Sequence, residues 1–308
     1  MGAHKRGTRR VGAEKGQAVK KTHDKSHQRK ERSSVRNQQD RDTLVQLQAT
    51  LTETAEKIGD RRAAFFADPD DVETIHRFRT NTRTLRSLVA FIKPWQKAEQ
   101  NAEIQALLKE AVGYTSLLRE LDVFEKRVCA NPDASPELLA FCKDEAAAER
   151  ARVLEALSTE PAAGRCERAL SGAKRIVWKK RYAKQGLAAS EVRARFDALV
   201  ASVSSELAEV DLNDGERTHD VRKRAKRVRY VAEFMGAILG ADAASIAKGM
   251  KAQQDILGDV CDARANIRLI DGFLQRDLPE SVARELKQMR TQNEALLREA
   301  LDAAAAKK

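Results

Sequence analysis

The chain has 308 residues, 33% of them charged and only 5% aromatic, with a net charge of +11. That length can bury a substantial core in one large or two smaller units, and the abundance of Ala, Leu, Glu, Lys and Arg favours helices. No apolar run approaches the ~20 residues of a membrane helix, and the N-terminal stretch lacks the apolar segment of a secretory signal.

In chain order, residues 1–40 read as a disordered basic tail. Residues 1–39 carry +9 of the charge, leave +2 for the rest, and hold few large apolar side chains. The tail is either a solubilising arm or a sequence-blind tether to a polyanion, and its histidines, His4, His23 and His27, are assigned no site. A helical period begins near Asp42, with Leu44, Leu47, Leu51, Ala55 and Ile58 at spacings of three or four. Asp68 and Pro69 break it, and Asp70 or Asp71 caps a second helix that ends before Pro94. A third helix is predicted over 97–130 and a fourth from Pro136 to about Leu157, with a connector to Gly164. Helical material then spans 166–210, interrupted near Gly186. After a break at 211–215, helices are predicted to about Leu239, from Ala241 to about Arg276, and from Pro279. No strand pattern intervenes, which gives an all-α fold. Cys129, Cys142, Cys166 and Cys261 form no Cys-x-x-Cys pair and read as reduced, mostly buried thiols of a cytosolic protein.

One basic phrase occurs twice. The first copy is His76, Arg79, Arg83 and Arg86; the second is His219, Arg222, Lys226 and Arg229, each 143 positions later. Spacings of three, four and three put each set within an arc of about 80° on one helix face, about 15 Å long. The break at Asp68 maps onto Asp211 and the start at Pro136 onto Pro279, in the same register. A repeat of that period means a duplicated unit, here two related four-helix bundles with halves at 41–158 and 159–308. Ile75, Phe78, Thr82, Leu85, Val89 and Ile92 form a 3.5-residue seam, matched by Thr218, Val221, Ala225, Val228, Ala232 and Met235. Each basic residue follows a seam residue by one, so the ridge borders the core and lines a groove, where low-dielectric walls strengthen the field.

Arg presents a planar fork of donors suited to phosphate, and Lys a point charge. Further cations, including Lys223 and Arg227, surround the second ridge. His76 and His219 are the only histidines after residue 40; each is either a buried structural residue or a phosphate donor at the end of its ridge. Glu120 and Asp262, 44 and 43 positions after their histidines, are placed to orient a ridge arginine by a charged hydrogen bond. A third basic segment holds Lys174, Arg175, Lys179, Lys180, Arg181 and Lys184 with Trp178 and Tyr182. It reads as helical, with Arg175 and Lys179 on one face and the rings as packing anchors. There is no Gly-rich phosphate loop, no Gly-x-Ser-x-Gly elbow and no carboxylate cluster for a metal, so the chain reads as a binder without cofactor or metal. Two other readings stay open: an architectural nucleic-acid binder using the tail and the third basic segment, and a phosphate enzyme with His76 or His219 as phospho-acceptor.

The doubled phrase resembles the CHAD family, the conserved histidine α-helical domain, whose motif runs Val-His-x-x-Arg-Val-x-x-Arg-Arg-Leu-Arg in each half. The matching stretches are Ile75 to Arg86 and His219 to Tyr230, and Leu257-Gly258-Asp259-Val260-Cys261-Asp262 resembles the family's later Leu-Gly-x-x-Arg/Asn-Asp element. The resemblance covers about residues 42 to 306. It implies two four-helix bundles related by a pseudo-twofold axis. It also implies binding of inorganic polyphosphate in a basic channel or groove between them, in the cytoplasm and on polyphosphate granules. The implied anion-binding set is His76, Arg79, Arg83, Arg86, His219, Arg222, Lys226, Arg227 and Arg229. Thr84, Ser116, Glu120 and Cys261 depart from the motif, which implies weaker binding by the first half. The Glu-x-Glu-x-Lys motif of the triphosphatase-like domain fused to some members is missing, so no catalysis is implied. Membrane is not among the implied partners, and the oligomeric state is not implied.

Overall fold

A computed structural model describes residues 12–306. In chain order the helices are α1 (Gly12–Ala67), α2 (Val72–Ile92), α3 (Ala98–Tyr114), α4 (Ser116–Cys129), α5 (Pro136–Ser158) and α6 (Ala162–Lys174). They are followed by α7 (Lys180–Gln185), α8 (Ala189–Glu209), α9 (Gly215–Phe234), α10 (Gly236–Leu239), α11 (Ala243–Leu274) and α12 (Glu280–Ala305). The fold is all-α: among the described residues the only strand-like pairing is an isolated antiparallel bridge between Gln96 and Trp178. No helix among them is long and apolar enough to cross a membrane.

α1 extends back to Gly12, so residue 40, the expected end of the tail, lies inside a helix. The apolar register from Leu44 marks where α1 starts to pack: Leu47, Leu51, Ala55 and Ile58 are fully buried. Residues 1–11 of the tail lie outside the described residues. Asp71 is the cap of α2, its carboxylate accepting from the Glu73 amide at 2.9 Å, and Asp214 caps α9 through the Arg217 amide at 2.9 Å. Ser135 caps α5 through the Leu138 amide, ahead of Pro136 in the first turn.

Three expected helices are divided. The third breaks at Thr115 into α3 and α4, whereas its counterpart α11 runs unbroken. The helix expected to reach Leu239 stops at Phe234 and is followed by the single turn of α10. The third basic segment is not one helix. α6 ends at Lys174, and residues 175–179 run extended beside the end of α2, with the Lys97 amide donating to Val177 O and the Lys179 amide to Trp95 O, both at 2.8 Å. The run Ile176-Val177-Trp178 is β-branched and aromatic, which favours that extended backbone, so Arg175 and Lys179 share no helix face. Trp178 and Tyr182 do pack against the core, and the Tyr182 hydroxyl donates to Glu191 at 2.8 Å.

The core does not divide at the boundary between halves. One apolar cluster joins Leu51, Phe78, Leu85 and Ala169 with Phe196, Val228 and Met235. Another joins Phe124 of α4 and Leu138 of α5 with Phe273 of α11 and Leu286 of α12. α6, beyond the expected boundary at 158, packs on α3 and α1. The ridge helices α2 and α9 pack on each other.

Candidate anion-binding groove

The two seams turn α2 and α9 toward a common core: Ile75, Phe78, Thr82 and Leu85 are fully buried, as are Thr218, Val221, Ala225 and Val228. The ridges one position along therefore border a single groove. Two cavities open on it. The smaller, about 180 Å³, is lined by Arg83, Arg86, Lys223 and Arg227, with Ser87 and Gln105 but no carboxylate. The larger, about 330 Å³, is lined by His76, Arg79, Arg119 and Arg268 together with Glu120 and Asp262. Arg83, His219, Arg222, Lys226 and Tyr230 line both, so the cavities are successive stretches of one passage.

The predicted residues divide into clamps and free cations. Arg79 is 6% exposed, and its Nη1 donates to Val112 O at 2.9 Å, Thr115 Oγ1 at 2.7 Å and Ser116 Oγ at 3.3 Å. Arg222 repeats this more loosely, its Nε donating to Gln254 O at 3.3 Å. Gly258, where the first half has Ser116, lets that guanidinium lie close: a Cβ there would sit 3.3 Å from Nη2. By contrast the side chains of Arg83, Arg86, Lys226 and Arg227 have no hydrogen bond and no ion pair among the described residues, although Arg86, Lys226 and Arg227 are partly buried; Arg83 is the exposed member of the set. Several arginines elsewhere are engaged: Arg150 with Asp122 at 2.7 Å, Arg193 with Asp242, and Arg276 with Glu145, both at 2.6 Å.

Other predicted residues fall at the edges. Lys223 lines the smaller cavity and pairs with Asp220 at 2.6 Å. Arg229 lines neither cavity; it lies over the Tyr230 ring at 4.8 Å and reaches toward Glu233 at 3.8 Å. Glu120 and Asp262 line the larger cavity but hold no ridge arginine among the described residues. The anchors are instead backbone carbonyls and hydroxyls of the third helices, because the break at Thr115 leaves the Val112 carbonyl open to Arg79. Tyr230, Arg119 and Arg268 escaped the sequence reading. Tyr230 stands four residues after Lys226, a helical spacing that could have found it. Arg119 and Arg268 reach the groove from other helices, and no local pattern signals that.

Crowding of like charge shows in the titration of the groove. Burial, then Arg222 and Arg83, hold Lys226 down to about 8. Burial, then Arg83, lower Arg79 to about 10. Arg86 is lowered by burial and by Arg83 and Arg227, and Arg227 by burial and Arg224. His76 falls below 6.5 through burial and Arg119, and His219 through burial, Lys223 and Arg222. These are basic groups crowded together with too little counter-charge, and a bound anion would offset the repulsion among them. Among the described residues no group of three or more His, Cys, Asp or Glu could hold a metal ion.

A family model described as CHAD domain matches residues 49–271. Among solved structures, the crystal structure of the CHAD domain from the plant Ricinus communis aligns with a TM-score of 0.68 at 22% identity, covering 84% of this chain and 91% of that one. PptA from Streptomyces chartreusis aligns with a TM-score of 0.60 at 13% identity, covering 85% of this chain and 98% of that one. At these identities the likeness is one of fold. No curated protein matches the chain.

Proposed function

The chain belongs to the CHAD domain family, and we propose that it binds inorganic polyphosphate along the groove between α2 and α9, as a binder and not a catalyst. One observation carries the reading: Arg83, Arg86, Lys226 and Arg227 share one passage without ion pairs among the described residues, and all but Arg83 are partly buried. A partly buried cation without a partner is costly, so three together, with Arg83 beside them, mark a place where the counter-charge comes from a ligand. The passage is narrow and runs between two helices. A single file of phosphates suits it; a duplex, whose own grooves are read by protein elements entering them, does not. Neither histidine is hydrogen-bonded to a carboxylate among the described residues, which supports a binding role over a phospho-acceptor role. On this reading the protein is cytoplasmic and collects on polyphosphate granules.

The test is a titration of the chain with polyphosphate over a range of salt concentrations. The expected result is tight binding that weakens steeply with salt, by analogy with polyelectrolyte binding to DNA, and its loss in the Arg83→Glu, Lys226→Glu double variant. If that variant binds as the parent does, the groove is not the site.

A further inference from the structure

We propose that the groove continues out of its carboxylate-free end, past Arg195, onto an exposed basic surface made by the 174–185 segment and the end of α2, and that this surface is an outer subsite for long polyphosphate chains. The inference rests on the polyphosphate reading of the groove.

The two mouths of the passage differ. The larger cavity, at the N-terminal half of the α2 ridge, carries Glu120 and Asp262, which repel an emerging anion. The smaller, at Arg83, Arg86 and Ser87, has no carboxylate in its lining. A polyanion too long for the passage therefore leaves at the second mouth.

Beyond that mouth the cations go on. Along α2 the spacing Arg79, Arg83, Arg86, Ala90, Lys93 keeps one face, and Lys93 is exposed about 10 Å past Arg86. Arg195, on α8, is partly buried. Its Nε donates to Phe91 O at 2.6 Å, and its guanidinium lies 5.4 Å from the Phe91 ring and 5.9 Å from the Trp95 ring. It has no carboxylate partner among the described residues, and it stands close enough to Arg227 of the smaller cavity for the two charges to be felt.

Trp95 then leads to the surface. Its carbonyl accepts from the Lys179 amide at 2.8 Å, and the neighbouring Lys97 amide donates to Val177 O, so the extended segment is fastened to the end of α2. Lys174, Arg175, Lys179, Lys180, Arg181 and Lys184 are all exposed, and none is ion-paired among the described residues. Residues 174–185 contain no Asp or Glu. The nearby Glu191 is occupied, accepting from Trp95 Nε1 at 2.9 Å and from the Tyr182 hydroxyl at 2.8 Å. Glu99 is the one acid on the adjoining 93–100 stretch.

The experiment compares tripolyphosphate with long-chain polyphosphate on the full chain and on two variants. The surface variant is Lys179→Glu, Lys180→Glu, Arg181→Glu, all at exposed positions where folding is not at stake. The groove variant is Arg83→Glu, Lys226→Glu. The surface variant should bind tripolyphosphate as the parent does but lose about tenfold in long-chain affinity, with a salt slope shallower by about one per phosphate contact removed. The groove variant should lose both ligands. Unchanged long-chain affinity in the surface variant, beside loss in the groove variant, overturns the outer subsite and leaves the groove reading standing. Loss in the surface variant with none in the groove variant overturns the groove reading and the continuous track with it. Single-stranded DNA binding that depends on these three residues and matches polyphosphate of equal charge also overturns the assignment.

Discussion

Arg79 donates to the carbonyl of Val112 at 2.9 Å, and Arg222, 143 positions later, donates to the carbonyl of Gln254, 142 positions after Val112, at 3.3 Å. The same ridge position thus clamps its helix to the same place on the next long helix in both halves. The halves use the clamp differently. Arg79 is buried and makes three bonds, while Arg222 is partly exposed, makes one, and lines both cavities.

It follows that Arg79→Leu and Arg222→Leu separate stability from binding. Arg79→Leu removes a charge-assisted cluster and should cost roughly 2–4 kcal/mol. Arg222→Leu loses one long bond and should cost under about 1 kcal/mol while weakening polyphosphate binding more. Urea denaturation and ligand titration of both variants check this; equal destabilisation would contradict the division of labour.

Lys226 should show a trade of stability for function. Its folded-state value of about 8 lies below its ordinary 10.5, so the unfolded chain holds more protons between them. The destabilisation is complete below about 8 and fades as pH rises toward 10.5. Lys226→Met should therefore stabilise the ligand-free protein by roughly 1–3 kcal/mol near neutral pH, flatten that rise, and weaken binding. Denaturation curves across this window test it.

Binding should depend on pH in two stages. A polyanion beside Lys226 raises its pKa again, so complex formation takes up protons and affinity falls as pH climbs above about 8. His76 and His219 start below 6.5, so affinity should rise further as acid charges them. Calorimetry in buffers of different ionisation enthalpy measures the uptake. An affinity that is flat through both ranges would rule out direct contact with these groups.

Gly186→Ala should disturb α1 without touching the groove. Gly186 has φ +87°, and a Cβ there would lie 2.5 Å from the backbone carbon of Asp40. The adjoining Leu187 amide donates to Asp40 O at 2.8 Å, so the turn pins α1 to α7. Strain and backbone clash together should cost about 1–3 kcal/mol in a melting experiment, with tripolyphosphate affinity unchanged.

The sequence was informative wherever the cause is local. Asp71, one of the two residues expected to cap α2, does so because a short carboxylate before an apolar period meets free amides, and that is visible in a few residues. The seams on α2 and α9 were legible because burial repeats with the helix. The break at Thr115 was not: its anchor, Arg79, is 36 residues away. Nor was the extended run at 175–179, whose partners are Trp95 and Lys97.

By itself, then, the sequence determined that the protein is helical, that two basic ridges flank buried seams, and where most helices begin. Those follow from side-chain periodicity and end effects within single helices. Only the tertiary structure decided which cations are spent and which are free. Arg79 is consumed as a clamp, Arg229 turns aside onto Tyr230, and Arg83, Arg86, Lys226 and Arg227 remain unpaired among the described residues. Whether a charge is neutralised depends on what other helices bring to it, and helix packing, not spacing along the chain, sets that.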